Sequence, residues 1–493
     1  MNWIKDLSER LKEWGARKEN VNPFILGMAC VVGCCAGFGA FLLKRAIHYV
    51  AVFAHWIMHK APMTWDHAEW WLLVLPLAGI LLAVAYQKWI SKANMVHSTE
   101  HIKAYLAQKN YDIPTRMTID PIAACGITLG FGGSAGAEGP IAYAGAAVGS
   151  KLGRVFGFDT NMLRVMIGIG AGAGIAGIFK SPIAGVLFTL EVLRMNMAAI
   201  PVTALILASV CASVTCYAFT GTHLYLPYNL GETESLGMHW VVLLGIFCGI
   251  YSLLYNWITA SMQRFFKGRK RQWVAWVSGG LIAGGILFLF PSMYGEGYPE
   301  MTKLINGNQG DILNGGLLAV PLSDTARFLW VLALLLVLKA LATVCSNSAG
   351  GVAGSFAPTL FAGAVAGTLF ALLAHHWLGV ELPASLCAMI AMGGAFAGIV
   401  KAPVMSIFLI SEMTGATEYI LPIGVCAIVS FALVRGVGAL TPPQAPKKPT
   451  PNNPTTPTTQ QPQQPNNQTT PTTPTTQQPQ QPNNPTTQQP NNQ

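Results

Sequence analysis

Charge is scarce in this chain: Asp, Glu, Lys and Arg make up 10% of its 493 residues, where a soluble domain carries about 25%. That scarcity excludes an ordinary water-soluble globule, since 52% of the residues are hydrophobic and too little polar surface exists to cover them. Polar/apolar alternation is missing from the apolar stretches, which excludes half-buried strands. No small-residue cleavage site precedes the first apolar run, so the N-terminus does not read as a signal peptide. The ten cysteines, Cys34, Cys35, Cys125 and Cys345 among them, lack metal-ligand spacing. They read as small hydrophobes in helix packing.

What is present is apolar length. The run from Trp240 to Met262 holds 23 residues without a formal charge, and crossing the hydrocarbon core takes about 20. Similar or shorter runs fall near 24–43, 70–87, 200–219, 274–294, 328–338, 356–374, 386–400 and 418–434. The expected fold is therefore all-α, a polytopic integral membrane protein. Residues 1–20 place Trp3, Ile4, Leu7, Leu11 and Trp14 at helical spacing, which predicts an amphipathic helix on the membrane face. The transmembrane domain is expected over 21–441. From 442 to 493 the chain turns to Pro, Gln, Asn and Thr, with no aliphatic or aromatic side chain after Ala445. That composition cannot form a core and predicts a disordered tail.

The net charge of +9 is unevenly placed: Arg264, Lys267, Arg269, Lys270 and Arg271 follow directly on the charge-free run. By the positive-inside rule this loop and the N-terminus are expected on the cytoplasmic side. No recognition motif accompanies the cluster, so no nucleic-acid partner is expected.

Two halves of the chain repeat. AGIFKSP at 176–182 matches AGIVKAP at 397–403 in five of seven residues, and nine residues after each proline stands a glutamate, Glu191 or Glu412. GPIAYAGAAVG at 139–149 pairs with APTLFAGAVAG at 357–367 in the same order. The halves, about 24–220 and 238–440, therefore share one pattern, and in transporters a site commonly lies between such halves near the midplane.

Glycine concentrates in GIGAGAGIAG, GGSAGAEG, SAGGVAGS and MGGAFAG. Part of this is small-residue packing between membrane helices. Yet prolines follow at 140, 182, 358 and 403, each ahead of a fresh apolar run, and proline suits a first helical turn. Glycine-rich linker plus proline predicts helices that begin inside the membrane, tolerated where protein or a watery cavity covers the break. A helix start exposes free N–H groups and carries about half a positive charge. Several converging starts can bind a small monovalent anion without a full cation.

In that setting Glu138, the only charged residue in GGSAGAEGPIAYAG (132–145), acquires a role. An ionised carboxylate at membrane depth costs roughly 2.5–3.5 kcal/mol and marks function by default. Two residues before Pro140, it can accept the N–H groups of a helix start as a tethered anion that competes with the mobile one. Protonation would free the site, and a nearby bound anion favours the protonated form. Glu138 is thus the expected gate and proton acceptor.

These residues resemble the CLC family of chloride channels and chloride/proton exchangers, of the bacterial type without C-terminal CBS domains. The resemblance spans roughly 20–440. It is strongest at GAEGP (136–140), similar to the family's G-(K/R)-E-G-P, and at GSFAP (354–358), similar to its G-x-F-x-P. It implies inverted repeats with broken helices meeting at a central anion site, and a homodimer with one pathway per subunit. It implies chloride, with protons in the exchangers, as the transported ions, a bacterial inner membrane as the setting, and no cofactor or metal. Glu138 corresponds to the external gating glutamate. Gly136, Gly139, Gly354, Ser355, Phe356 and Ala357 would line the anion path, with Ser355 and Phe356 offering backbone N–H groups. This chain departs from the pattern at four places. Ala137 replaces the basic residue of the glutamate motif. VHSTE (96–100) stands where the family has G-S-G-I-P, so His97 takes the place of the serine, with Ser98 beside it. Val192 stands where many exchangers carry an internal proton-transfer glutamate, while Glu191, a charge at membrane depth, is a candidate on the proton route. The last-helix tyrosine has no match.

HSTEH at 97–101 also fits H-x-x-E-H, the pattern in which two His hold zinc and Glu acts as base. A membrane metalloprotease is the alternative, with no third ligand in view. Symmetric placement of Glu191 and Glu412 points to a structural task, capping or pairing at helix ends, rather than a proton role for both. Lys180 and Lys401 are expected to snorkel to the interface, and His375 and His376 to lie there too.

Overall fold

The computed structural model describes residues 21–60, 70–228, 235–268, 271–313 and 324–440. The amphipathic segment 1–20, the tail 442–493 and the basic residues Arg269 and Lys270 lie outside the described residues. The fold is helical. In order come α1 (Val21–Lys60), α2 (Leu75–Ala85), α3 (Ser98–Ala107), α4 (Asp120–Gly130), α5 (Glu138–Val155), α6 (Thr160–Phe179), α7 (Pro182–Leu187) and α8 (Ala199–Thr220). The second half holds α9 (Met238–Lys267), α10 (Gln272–Leu289), α11 (Tyr298–Ile305), α12 (Thr325–Ser348), α13 (Phe356–Leu378), α14 (Ala384–Val400), α15 (Pro403–Thr414) and α16 (Ile420–Leu440). Among the described residues nine helical stretches are long and apolar enough to cross a membrane.

Two of the four glycine clusters are not linkers. GIGAGAGIAG lies inside α6 and MGGAFAG inside α14. The reason is packing: a Cβ at Gly145 of α5 would overlap the Gly170 carbonyl of α6 and lie 2.9 Å from its carbon. The two backbones meet where side chains are absent. The chain breaks instead at Lys180 and Lys401, both left-handed (φ +55° and +65°), one residue before Ser181-Pro182 and Ala402-Pro403. The non-helical passages are 131–137 and 349–355, covering most of GGSAGAEG and SAGGVAGS and leading into α5 and α13.

The halves are related by an approximate two-fold axis, legible in bonds exchanged both ways. Gly136 N–H donates to Gly354 O at 3.0 Å and Gly354 N–H to Gly136 O at 2.5 Å. Ser134 N–H donates to Ser346 Oγ at 3.1 Å, while Val352 N–H donates to Thr128 Oγ1 at 3.0 Å. Glu412 accepts from Ile183 and Ala184 N–H at 3.1 and 3.0 Å, and Glu191 accepts from Val404 and Met405 N–H at 3.2 and 2.7 Å. Reciprocal contacts of this kind define two-fold rather than head-to-tail symmetry. The glutamate at the C-terminal side of each short segment caps the start of the other, so α7 and α15 run antiparallel, as inverted halves require.

Lys180 does not snorkel. It is buried, and its Nζ donates to Gly221 and His223 O at 2.9 and 3.0 Å, in the turn that follows α8. Lys401 is exposed. None of the ten cysteines, all of them among the described residues, forms a disulfide.

Candidate functional site

The two glycine passages carry α5 and α13 to a common point. Their first residues are Glu138 and Phe356, and the Gly136–Gly354 pair locks the approaching strands together. Glu138 Oε1 accepts the Phe356 N–H, while Oε2, buried, has no hydrogen-bond partner. The residue is 2% exposed, and a Cβ at either Gly136 or Gly354 would fall 2.7 Å from its Cδ and closer still to its Oε1. Glycine is required at both positions to leave the carboxylate room. Phe356 is walled by Phe188 and Phe396, ring centroids 6.1 and 4.9 Å away.

Glu138 borders a cavity of about 410 Å³ whose lining includes His97, Ser98, Thr99, Lys267, Asn347 and the 353–356 backbone. The start of α3 thus joins those of α5 and α13, three helix N-termini around one space. Glu100, in the first turn of α3, also lines it. Its neighbour, about 700 Å³, shares His97 and Lys267 and adds Lys88 and Lys92, which makes its wall basic.

Of the residues named from sequence, His97, Ser98, Glu138, Gly139, Gly354, Ser355 and Phe356 line this cavity. Gly136 lies behind the carboxylate, paired to Gly354, and Ala357 is buried within α13 without lining it. Ser98 Oγ donates to Met95 O at 2.8 Å, so its proton is committed to backbone. His97 adopts a left-handed conformation (φ +59°) just before α3; burial first, then the Lys267 charge, push its imidazole below the ordinary 6.5. Glu191 stands apart, spent on the start of α15.

The metalloprotease pattern fails on geometry. His97 precedes the helix, so it and His101 are not one turn apart on a helical face, and His101 Nε2 lies 3.0 Å from Val96 O. Among the described residues no cluster of His, Cys, Asp or Glu could hold a metal ion.

Sequence reasoning missed Gln263, Asn347 and the placement of Lys267 in the cavity. In sequence Lys267 is one of five basic residues flanking a span, with nothing to mark it as cavity-lining. It also missed Glu296, whose Oε1 accepts the Ala137 N–H at 3.3 Å and whose Oε2 lies 2.7 Å from Lys44 Nζ. The odd glutamate in YGEGYP was the one available signal.

A sequence model described as the voltage-gated chloride channel family matches residues 77–435. The chain belongs to this family. It is a multi-pass integral membrane transport protein, not an enzyme. A protein of Ralstonia nicotianae described as ClcB-like is 28% identical over 431 residues, 84% of this chain and 94% of that one. The H(+)/Cl(-) exchange transporter ClcA of Vibrio cholerae is 28% identical over 324 residues, 62% of this chain and 64% of that one. The solved structure of a slow cyanobacterial Cl-/H+ antiporter superposes with a TM-score of 0.69 at 22% identity, covering 84% of this chain and 95% of that one. The CLC fold therefore holds over the helical unit, and Glu138 sits at the start of its α5.

Proposed function

We propose that the chain moves chloride across a membrane, with Glu138 as the gate and proton acceptor. The observation that carries this reading is the Glu138 carboxylate resting on the Phe356 N–H at the meeting point of two helix starts. An anion favoured by those N–H groups must displace it. Protonation removes its charge and weakens its hold on the donor, so acid opens the path. The cavity beneath Glu138 is roomy and polar enough for water, which supplies protons a route that avoids the buried Val192. This supports proton-coupled exchange, as does the name of the Vibrio cholerae relative. Binding through N–H dipoles, with Lys267 at the cavity wall, suits a small monovalent anion that must also leave.

The native form in this reading is a homodimer with one pathway per subunit, in a bacterial inner membrane with the basic loop and N-terminus cytoplasmic. The test is simultaneous chloride and proton recording from liposomes under a chloride gradient alone. Proton uptake driven uphill by chloride efflux establishes exchange; chloride efflux without protons makes the pathway passive; no efflux from folded protein ends the reading.

A further inference from the structure

We propose a second anion site, built from Lys44, Tyr225 and the Ala137 amide, which the Glu296 carboxylate occupies in this conformation. The inference rests on the transport reading above and extends it outward from Glu138. Lys44 Nζ, from the middle of α1, bonds both Glu296 Oε2 (2.7 Å) and Tyr225 Oη. The ammonium also lies 4.7 and 5.0 Å from the ring centroids of Tyr225 and Tyr298. Glu296 Oε1 takes the Ala137 N–H at 3.3 Å, the amide immediately ahead of Glu138. None of Lys44, Tyr225 or Glu296 lines the cavity beneath Glu138, so the cluster is a separate site one residue from the gate. Its ion pair is not sealed: the Lys44 and Glu296 side chains keep 23% and 12% exposure.

Ammonium, phenol O–H and amide N–H form a donor set for a small monovalent anion, and a carboxylate now fills it as Glu138 fills the inner one. Glu296 stands between Gly295 and Gly297, both left-handed (φ +60° and +82°). A Cβ at Gly295 would meet open space, whereas one at Gly297 would fall 2.7 Å from the Phe361 ring, so a swing of the carboxylate has to go toward the Gly295 side. Lys44 also supplies, from α1, the positive charge that the glutamate motif lacks at Ala137. A chloride arriving here competes with Glu296 for Lys44 and stands next in line to displace Glu138.

The test is chloride flux in liposomes at one fixed pH, read as the half-saturating chloride concentration. Glu296→Gln replaces a charged acceptor with a neutral one that holds the donors more weakly, and half-saturation falls about tenfold or more, the worth of one charge-assisted hydrogen bond. A bromide-soaked crystal of that variant shows anomalous density at Lys44 Nζ. An unchanged half-saturation with no bromide at Lys44, in folded Glu296→Gln, overturns the site. Should that variant fail to fold, Lys44→Met with Glu296→Gln removes the pair as neutral isosteres and decides alone. A half-saturation raised about threefold or more above wild type supports the site, because the cation ligand is gone; equality with wild type overturns it. Loss of flux in the wild-type protein would sink the transport reading itself, whereas an unmoved half-saturation in active variants sinks only this site.

Discussion

If Glu138 gates as proposed, replacing Gly354 with alanine should force the gate open with residue 138 itself unchanged. The Gly354 backbone is not in the left-handed region, so alanine is tolerated by the chain itself. Its Cβ, however, would lie 2.7 Å from Glu138 Cδ, overlap Oε1, and fall 3.0 Å from the Gly139 nitrogen. The carboxylate must leave, and with it goes the Phe356 N–H bond. A hydrogen bond to a charged group contributes about 1.5–3 kcal/mol, which is roughly a 10- to 150-fold change in the closed-to-open ratio. At alkaline pH, where the ionised carboxylate closes the wild-type site, chloride efflux from liposomes should rise by about tenfold or more. At acid pH, where the wild-type gate is protonated and already open, efflux should barely change. The ratio of acid to alkaline flux therefore collapses toward one. A folded Gly354→Ala protein that keeps the wild-type ratio would refute the steric argument.

Three further outcomes follow from the same geometry. Glu412→Ala strips two N–H acceptors from the start of α7 and should cost about 2 kcal/mol, seen as a lowered unfolding temperature in detergent with the chloride-to-proton ratio intact. Glu191→Ala should behave alike by symmetry; loss of proton movement in it alone would restore Glu191 to a proton route. His97, depressed below 6.5 by burial and by Lys267, is neutral above that pH and gains charge only as pH falls through its lowered pKa. His97→Gln should therefore leave the flux profile between pH 7 and 8 in place, and a midpoint moved within that window would contradict the assignment.

Spans and repeat were legible because both are written in local composition: a charge-free run of membrane length has few alternatives, and AGIFKSP with AGIVKAP survives divergence. Glu138 was legible for the same reason, as a charge with no polar neighbours. The helix Thr160–Phe179 was harder. Its glycines resemble a linker in sequence and are recognisable as a packing face only beside Gly145 and its neighbours in α5. The bonds that join distant segments left no local trace. Lys44 and Glu296 stand 252 positions apart, and neither looks unusual until the other is beside it. Lys180 was misread because its carbonyl partners lie beyond α8, at Gly221 and His223. A structural task for Glu191 and Glu412, capping or pairing at helix ends, was legible from the repeat, but the exchange by which each caps the other half's short helix was not.

The most direct test is the pH dependence of chloride efflux from liposomes holding wild-type protein and Glu138→Gln side by side. The account predicts acid-stimulated efflux in the wild type and, in the variant, efflux that persists but no longer responds to pH. Retention of the wild-type pH response in folded Glu138→Gln would contradict it.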